Sequence, residues 1–185
     1  MRPRDLALIA LFAALTCALG LTPVIPLPLL GVTFSLQTLG MILAGGILGA
    51  KRGGLAMLLV IGLVAIGLPV LTGGQGGLGK LVGPTAGFIW SWPIGALLTG
   101  WLVERFWTRL ALAKAALAAL AGSLSIYLLG QPWAALTLGI PARTAVWAWV
   151  VYVPGDLAKS IVAGIVILAV KRAYPLITPR VKAPQ

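Results

Sequence analysis

Six long apolar runs decide what this chain can fold into. They extend from Leu6 to about Leu21, from about Leu29 to Ala50, from Gly53 to Leu71, from Pro84 to Val103, from about Ala111 to Leu129, and from about Thr144 to Val170. Each reaches or nearly reaches the roughly 20 residues that carry a helix across about 30 Å of hydrocarbon. Barrel strands would be about ten residues long and would alternate polar with apolar positions, which these runs do not. The expected fold is an all-α integral membrane protein with six transmembrane helices, in one domain spanning residues 1–185. A chain of 185 residues that is 60% hydrophobic and 9% charged carries more apolar surface than a soluble domain of that size can hide.

The basic residues orient the bundle. With the N-terminus cytoplasmic, that side holds Arg2, Arg4, Lys51, Arg52, Arg105, Arg109, Lys114, Lys171, Arg172, Arg180 and Lys182. Lys80 and Arg143 fall outside and Lys159 falls within a run, so the 14 basic residues divide 11 inside, 2 outside and 1 buried. Both termini are therefore expected in the cytoplasm. The net charge of +11 is not a nucleic-acid signature, because the basic residues lie between apolar runs and form no stripe with interleaved aromatics.

The N-terminus also has the outline of a signal peptide, with Arg2 and Arg4 before Leu6–Ala14 and Ala18-Leu19-Gly20 as a cleavage site. Retention is the expectation, because Ala10, Ala14 and Ala18 recur every fourth residue. That spacing makes a flat strip on which another helix can pack closely.

Three acidic residues are present. Asp5 and Glu104 stand beside basic residues at the ends of apolar runs. Asp156 lies inside the sixth run, three residues before Lys159 and on the same helical face. Counting back from Lys171 at 1.5 Å per residue puts Asp156 about 22 Å and Lys159 about 18 Å above the inner boundary, in the outer half of the core. Ionisable groups at such depth are costly and usually functional. The pair either neutralises itself structurally or faces a cavity, the carboxylate accepting N–H bonds and the ammonium meeting a carbonyl or an anion. Pro154 and Gly155 loosen the preceding turn and leave a carbonyl near Val150 in need of a partner. Tyr152 and Trp149, on the same side, offer an aromatic wall or an interfacial anchor.

The connections on the outer side are long and rich in proline and glycine. One carries Pro23, Pro26, Pro28 and Gly31, a second Gly73 to Gly83, and a third Gln131, Pro132 and Pro141. They are expected to cover a site that opens outward. Gly74-Gln75-Gly76-Gly77-Leu78-Gly79-Lys80-Leu81 nearly matches the phosphate-binding pattern G-x-x-x-x-G-K-[ST]. Leu81 stands where the magnesium-binding hydroxyl belongs, and the segment follows a membrane span. Nucleotide binding is rejected, and the loop is read as backbone that turns tightly and approaches a ligand. Gln37 in the second run and Thr85 at the start of the fourth face the same cavity or bond a neighbouring helix.

Enzymatic readings fare poorly. The chain has no histidine and one cysteine, Cys17, which removes the common nucleophilic triads and zinc sites. An intramembrane aspartyl protease needs two carboxylates, and one lies in the membrane. No cofactor or metal is expected.

Three motifs in order resemble one family. Gly76-Gly77, then Gly83-Pro84-Thr85-Ala86-Gly87-Phe88, then Pro154-Gly155-Asp156-Leu157-Ala158-Lys159 resemble BioY, the biotin-specific substrate-binding (S) subunits of energy-coupling-factor (ECF) transporters. Ser35-Leu36-Gln37-Thr38-Leu39-Gly40 is similar as well, and Ala86 departs from the second glycine usual there. The resemblance implies six helices and a biotin pocket near the outer face of a bacterial inner membrane. Asp156 and Lys159 would hold polar groups of biotin, the carboxylate taking the ureido N–H donors. Gln37, Gln75, Gly76, Gly77, Thr85 and Tyr152 complete the candidate binding set. Ala10 and Ala14 would dock onto a transmembrane coupling subunit, with two ATPase subunits supplying energy. The same fold serving another vitamin, a proton-coupled carrier using Asp156, and a purely structural subunit stand as alternatives.

Overall fold

The computed structural model describes residues 1–22, 25–27, 32–141, 143, 144, 147, 150 and 152–177. Trp149, Pro23, Pro28 and Gly31 lie outside the described residues, as do parts of the second and sixth apolar runs. Among the described residues, six α-helices form the bundle: α1 (Pro3–Gly20), α2 (Gln37–Leu48), α3 (Ala50–Ala65), α4 (Ala86–Arg105), α5 (Leu112–Leu138) and α6 (Val153–Ala173). Four of them, α1, α4, α5 and α6, are long and apolar enough to cross a membrane.

Within the second run, Val32–Phe34 is extended and not helical. Ile25–Leu27 (β1) and Val32–Phe34 (β2) pair antiparallel, with Ile25 opposite Phe34 and Leu27 opposite Val32. Pro26 supplies no backbone donor, and β-branched Val32 and Thr33 favour extended backbone, so helix starts only at Gln37. At 12 residues α2 is about 18 Å long, shorter than the hydrocarbon core. Gly49 then turns the chain directly into α3, with φ of 88°, a conformation open to glycine at little cost.

Two proline expectations change. Gln131 and Pro132, read as part of an outer connection, lie within α5, which continues to a left-handed Gly139 cap. The apolar stretch around Trp133–Leu136 sustains the helix, and packed neighbours make an internal proline tolerable. The helix α6 begins at Val153, so Pro154 sits in its first turn. An N–H at that position would have no intrahelical acceptor, so the proline costs no helical bond and frees no carbonyl within the helix.

Small residues set the interhelical distances, as expected where hydrocarbon offers no hydrophobic drive between helices. A Cβ on Gly40 of α2 would lie 2.6 Å from the Thr16 hydroxyl of α1, and one on Gly95 of α4 would lie 2.6 Å from the Met41 sulfur of α2. Small and large apolar residues share the interior, and large apolar residues cover the exterior as well. Ala44, Ala56, Ala96, Ala115 and Ala163 are buried, whereas Leu6, Leu11, Leu117, Leu128 and Ile165 point outward. An apolar exterior of this extent is stable against lipid tails and not against water.

The two other carboxylates are used at the end of the bundle rich in Arg and Lys. Asp5 accepts the Arg2 N–H at 3.1 Å, capping α1, and pairs with Arg52 of α3 at 3.1 Å. Glu104, at the end of α4, accepts the Ala50 N–H at 2.8 Å and caps α3. Arg52 also donates to the Leu176 carbonyl at 2.8 Å, and the Arg4 guanidinium stacks over Tyr174, which ties the segment after α6 to α1 and α3.

Candidate functional site

A cavity of about 140 Å³ opens at the opposite end of the bundle, between α2, α4, α5 and α6 and beneath the connection from α3 to α4. Each wall has a distinct source. The start of α2 contributes Ser35, Gln37 and Thr38; the connection contributes Leu71, Thr72, Gln75 and Thr85. Aromatic and aliphatic surface comes from Phe88, Ile89 and Trp92 of α4 and from Ile126 and Tyr127 of α5. Tyr152 and Lys159 close the α6 side.

The polar groups at its base form one continuous network. The Lys159 ammonium lies 2.8 Å from Asp156 Oδ1 and donates to the Thr38 hydroxyl at 2.7 Å and the Ser35 carbonyl at 3.4 Å. The Tyr127 hydroxyl donates to Asp156 Oδ2. Asp156 is 1% exposed and Lys159 7%. Neither charge is tolerable alone at that burial, and each is held by the other plus neutral hydrogen-bonding groups. Asp156 also sits in the first turn of α6, where unpaired backbone N–H groups and the helix dipole favour a carboxylate. Lys159 faces the cavity, whereas Asp156 stands just behind it, covered by Lys159 and Tyr127.

Gln37 lines the cavity and also bonds a neighbouring helix, the two parts its position in the second run left open. Its amide donates to the Val70 carbonyl at 2.8 Å and the Thr16 carbonyl at 3.4 Å, and accepts from the Thr72 N–H at 2.9 Å and the Thr72 hydroxyl at 2.8 Å. All four bonds of the amide are made inside the protein, so Gln37 pins the connection to α1 and α2. Ser35 and Thr72 join through their hydroxyls at 2.6 Å, extending the same lattice.

The glycine loop divides. Gln75 lines the cavity and Thr85 stands at the start of α4 on its rim, but Gly76 and Gly77 do not line it. Gly76 lies so close to the Leu68 carbonyl that a Cβ would overlap it, and Gly77 has φ of 88° with its N–H bonded to the Val64 carbonyl at 2.9 Å. These glycines shape the loop against its own backbone. Two indoles hold the loop to the bundle: Trp90 donates to the Leu81 carbonyl at 3.0 Å and Trp133 to the Gly83 carbonyl at 2.9 Å.

Ala10 and Ala14 lie far from the cavity. Both are exposed on α1, on the face opposite buried Ile9, Phe12, Ala13 and Thr16.

Sequence reasoning passed over Tyr127, read Gln131 only as part of an outer connection, and did not single out Thr38. A signal was present: Ser123, Tyr127 and Gln131 recur every fourth residue in a largely apolar run, which puts them on one helix face. Phe88 meets Tyr127 edge to face, with centroids 6.1 Å apart, and Tyr152 lies 6.4 Å from Tyr127. These rings give the cavity a flat apolar wall beside its charged base.

The sequence matches the model of the BioY family over residues 1–176. The chain belongs to the BioY family. It is 47% identical to the biotin transporter BioY of Rhodobacter capsulatus, across 93% of this chain and 95% of that protein. Identity to the biotin transporter BioY of Rhizobium etli is 42%, across 97% of this chain and the whole of that protein. The fold is similar to the crystal structure of the S-component for biotin from an ECF-type ABC transporter, with a TM-score of 0.85 and 28% identity over 93% of this chain and 95% of that one. Family membership accords with the motif order read from the sequence, and the shared fold places this BioY chain among S-components by architecture.

Proposed function

We propose that this BioY chain is the membrane-embedded, high-affinity biotin-binding subunit of an ECF-type vitamin transporter, and that the cavity is its biotin site. The observation that carries the reading is the buried Asp156–Lys159 pair at the base of an apolar, aromatic-walled cavity. Biotin offers two ureido N–H donors and a ureido carbonyl at one end, an apolar thiophane ring, and a carboxylate on an alkyl tail. The ureido ring matches the base of the cavity. Lys159 donates to the ureido oxygen, and Asp156 accepts a ureido N–H as the Tyr127 hydroxyl yields its place. Trp92, Phe88 and Ile126 pack against the thiophane ring and tail.

Thr72, Gln75 and Thr85, on the connection above, close the site. The surplus of basic residues on the far end puts both termini in the cytoplasm of a bacterial cell with the cavity facing outward. Ala10 and Ala14, exposed on the first helix, dock onto a transmembrane coupling subunit whose ATPase partners drive release inward.

Titration of biotin into the detergent-purified protein, beside Asp156→Asn, tests this reading. The substitution keeps the shape of the side chain and replaces one acceptor with a donor aimed at an N–H. Tight binding by the parent and a loss of about 1–3 kcal/mol in the variant are expected. A folded parent that binds no biotin ends the biotin reading, whereas equal binding by both proteins moves the site away from Asp156.

A further inference from the structure

Gln131 is a polar side chain on the cavity wall that takes no part in the network at its base. It lies one helical turn beyond Tyr127 on the same face of α5 and lines the cavity. It is 7% exposed, and its side-chain oxygen is buried with no hydrogen-bond partner among the described residues. The contrast with Gln37 is direct: the same side chain, on the same cavity, has its amide bonded at every position there.

A buried amide oxygen left without a donor is destabilising, so a protein that keeps one there obtains something for it elsewhere. The terminal amide torsion is soft, and a rotation about it turns the oxygen from the wall into the cavity without a change of rotamer along the stem. The geometry points to Gln131 as a specificity-determining acceptor that takes a hydrogen bond from an N–H of the bound ligand. This inference rests on the biotin reading, and biotin narrows the donor. Its carboxyl group is ionised at neutral pH, so its donors are the two ureido N–H groups. Asp156 accepts one of them at the base of the cavity, and Gln131 on the α5 wall accepts the other. The ring is then read on both flanks, with its carbonyl between them meeting Lys159.

Gln131→Met preserves length and removes the amide. Three measurements on the purified full chain decide the matter: thermal stability without ligand, affinity for biotin, and affinity for biotin methyl ester, which keeps the ureido ring and loses the carboxylate charge. The empty variant is expected to melt no lower than the parent, since the amide oxygen makes no bond among the described residues. Affinity for both ligands is expected to fall by a similar factor, roughly 5- to 100-fold. Unchanged affinity for biotin overturns the assignment. A loss confined to biotin and absent with the ester also overturns it, because the amide then meets the carboxylate. A lower melting temperature of the empty variant shows the amide serving the fold, and the assignment is lost in that case too. A parent that binds neither ligand removes the biotin reading itself, which separates that failure from the failure of Gln131.

Discussion

Tyr127 of α5 donates its hydroxyl to the buried carboxylate of Asp156 on α6. The bond crosses between two helices and occupies the carboxylate oxygen that Lys159 does not. It therefore serves both the fold and the site: it makes a charge tolerable in a membrane, and it holds a flat aromatic ring against the cavity.

Tyr127→Phe tests that double duty. The ring and its packing on Phe88 survive, while Asp156 loses one donor. Stability is expected to drop by about 1–3 kcal/mol, the cost of leaving a buried acceptor partly unsatisfied. Thermal unfolding in detergent, followed by circular dichroism, measures it. An unchanged melting temperature means that water or another donor already satisfies that oxygen.

Lys159 and Asp156 are expected to be strongly non-additive. Lys159→Met alone strands a carboxylate at 1% exposure and should cost about 3–5 kcal/mol. Adding Asp156→Asn removes the stranded charge and should recover a large part of that loss while abolishing ligand binding. A double variant less stable than Lys159→Met alone would rule out the pair as the source of the penalty.

Gly20, at the end of α1, supports the cavity from a distance. A Cβ there would lie 2.5 Å from the Gln37 amide nitrogen and 2.6 Å from the Val70 carbonyl oxygen. Gly20→Ala should push Gln37 off its four bonds and destabilise the protein by about 1–3 kcal/mol. Gly62→Ala, with nothing within 4 Å, is the matched control and should cost nothing. Comparable losses in the two variants would contradict this account.

Ala10→Trp or Ala14→Trp should separate binding from transport. Both alanines face outward on α1, away from the cavity. Calorimetric affinity for biotin should stay within about twofold of the parent, whereas uptake by cells carrying the coupling module should be lost because a bulky ring blocks close helix approach. Full uptake by both variants would remove α1 as the docking face.

The apolar runs were sufficient to read the class of fold, because crossing hydrocarbon demands internally bonded backbone and helices meet that demand. Asp156 and Lys159 were equally legible, since a charge inside an apolar run stands out whatever surrounds it. So were the family motifs, which depend on local order along the chain. The division of labour among polar neutral residues was not legible. Gln37, Gln75 and Gln131 look alike in sequence, yet one is bonded throughout, one hangs on a loop over the cavity, and one has an oxygen with no partner among the described residues. Hydrogen-bond satisfaction depends on which groups long-range packing brings within about 3 Å. The same holds for Tyr127, whose partner is 29 residues away along the chain. Local pattern determined that this protein lies in a membrane with a charged pair inside it. Only the packing of α2, α4, α5 and α6 decided which neutral side chains hold that pair and which one lines the cavity with an acceptor unused among the described residues.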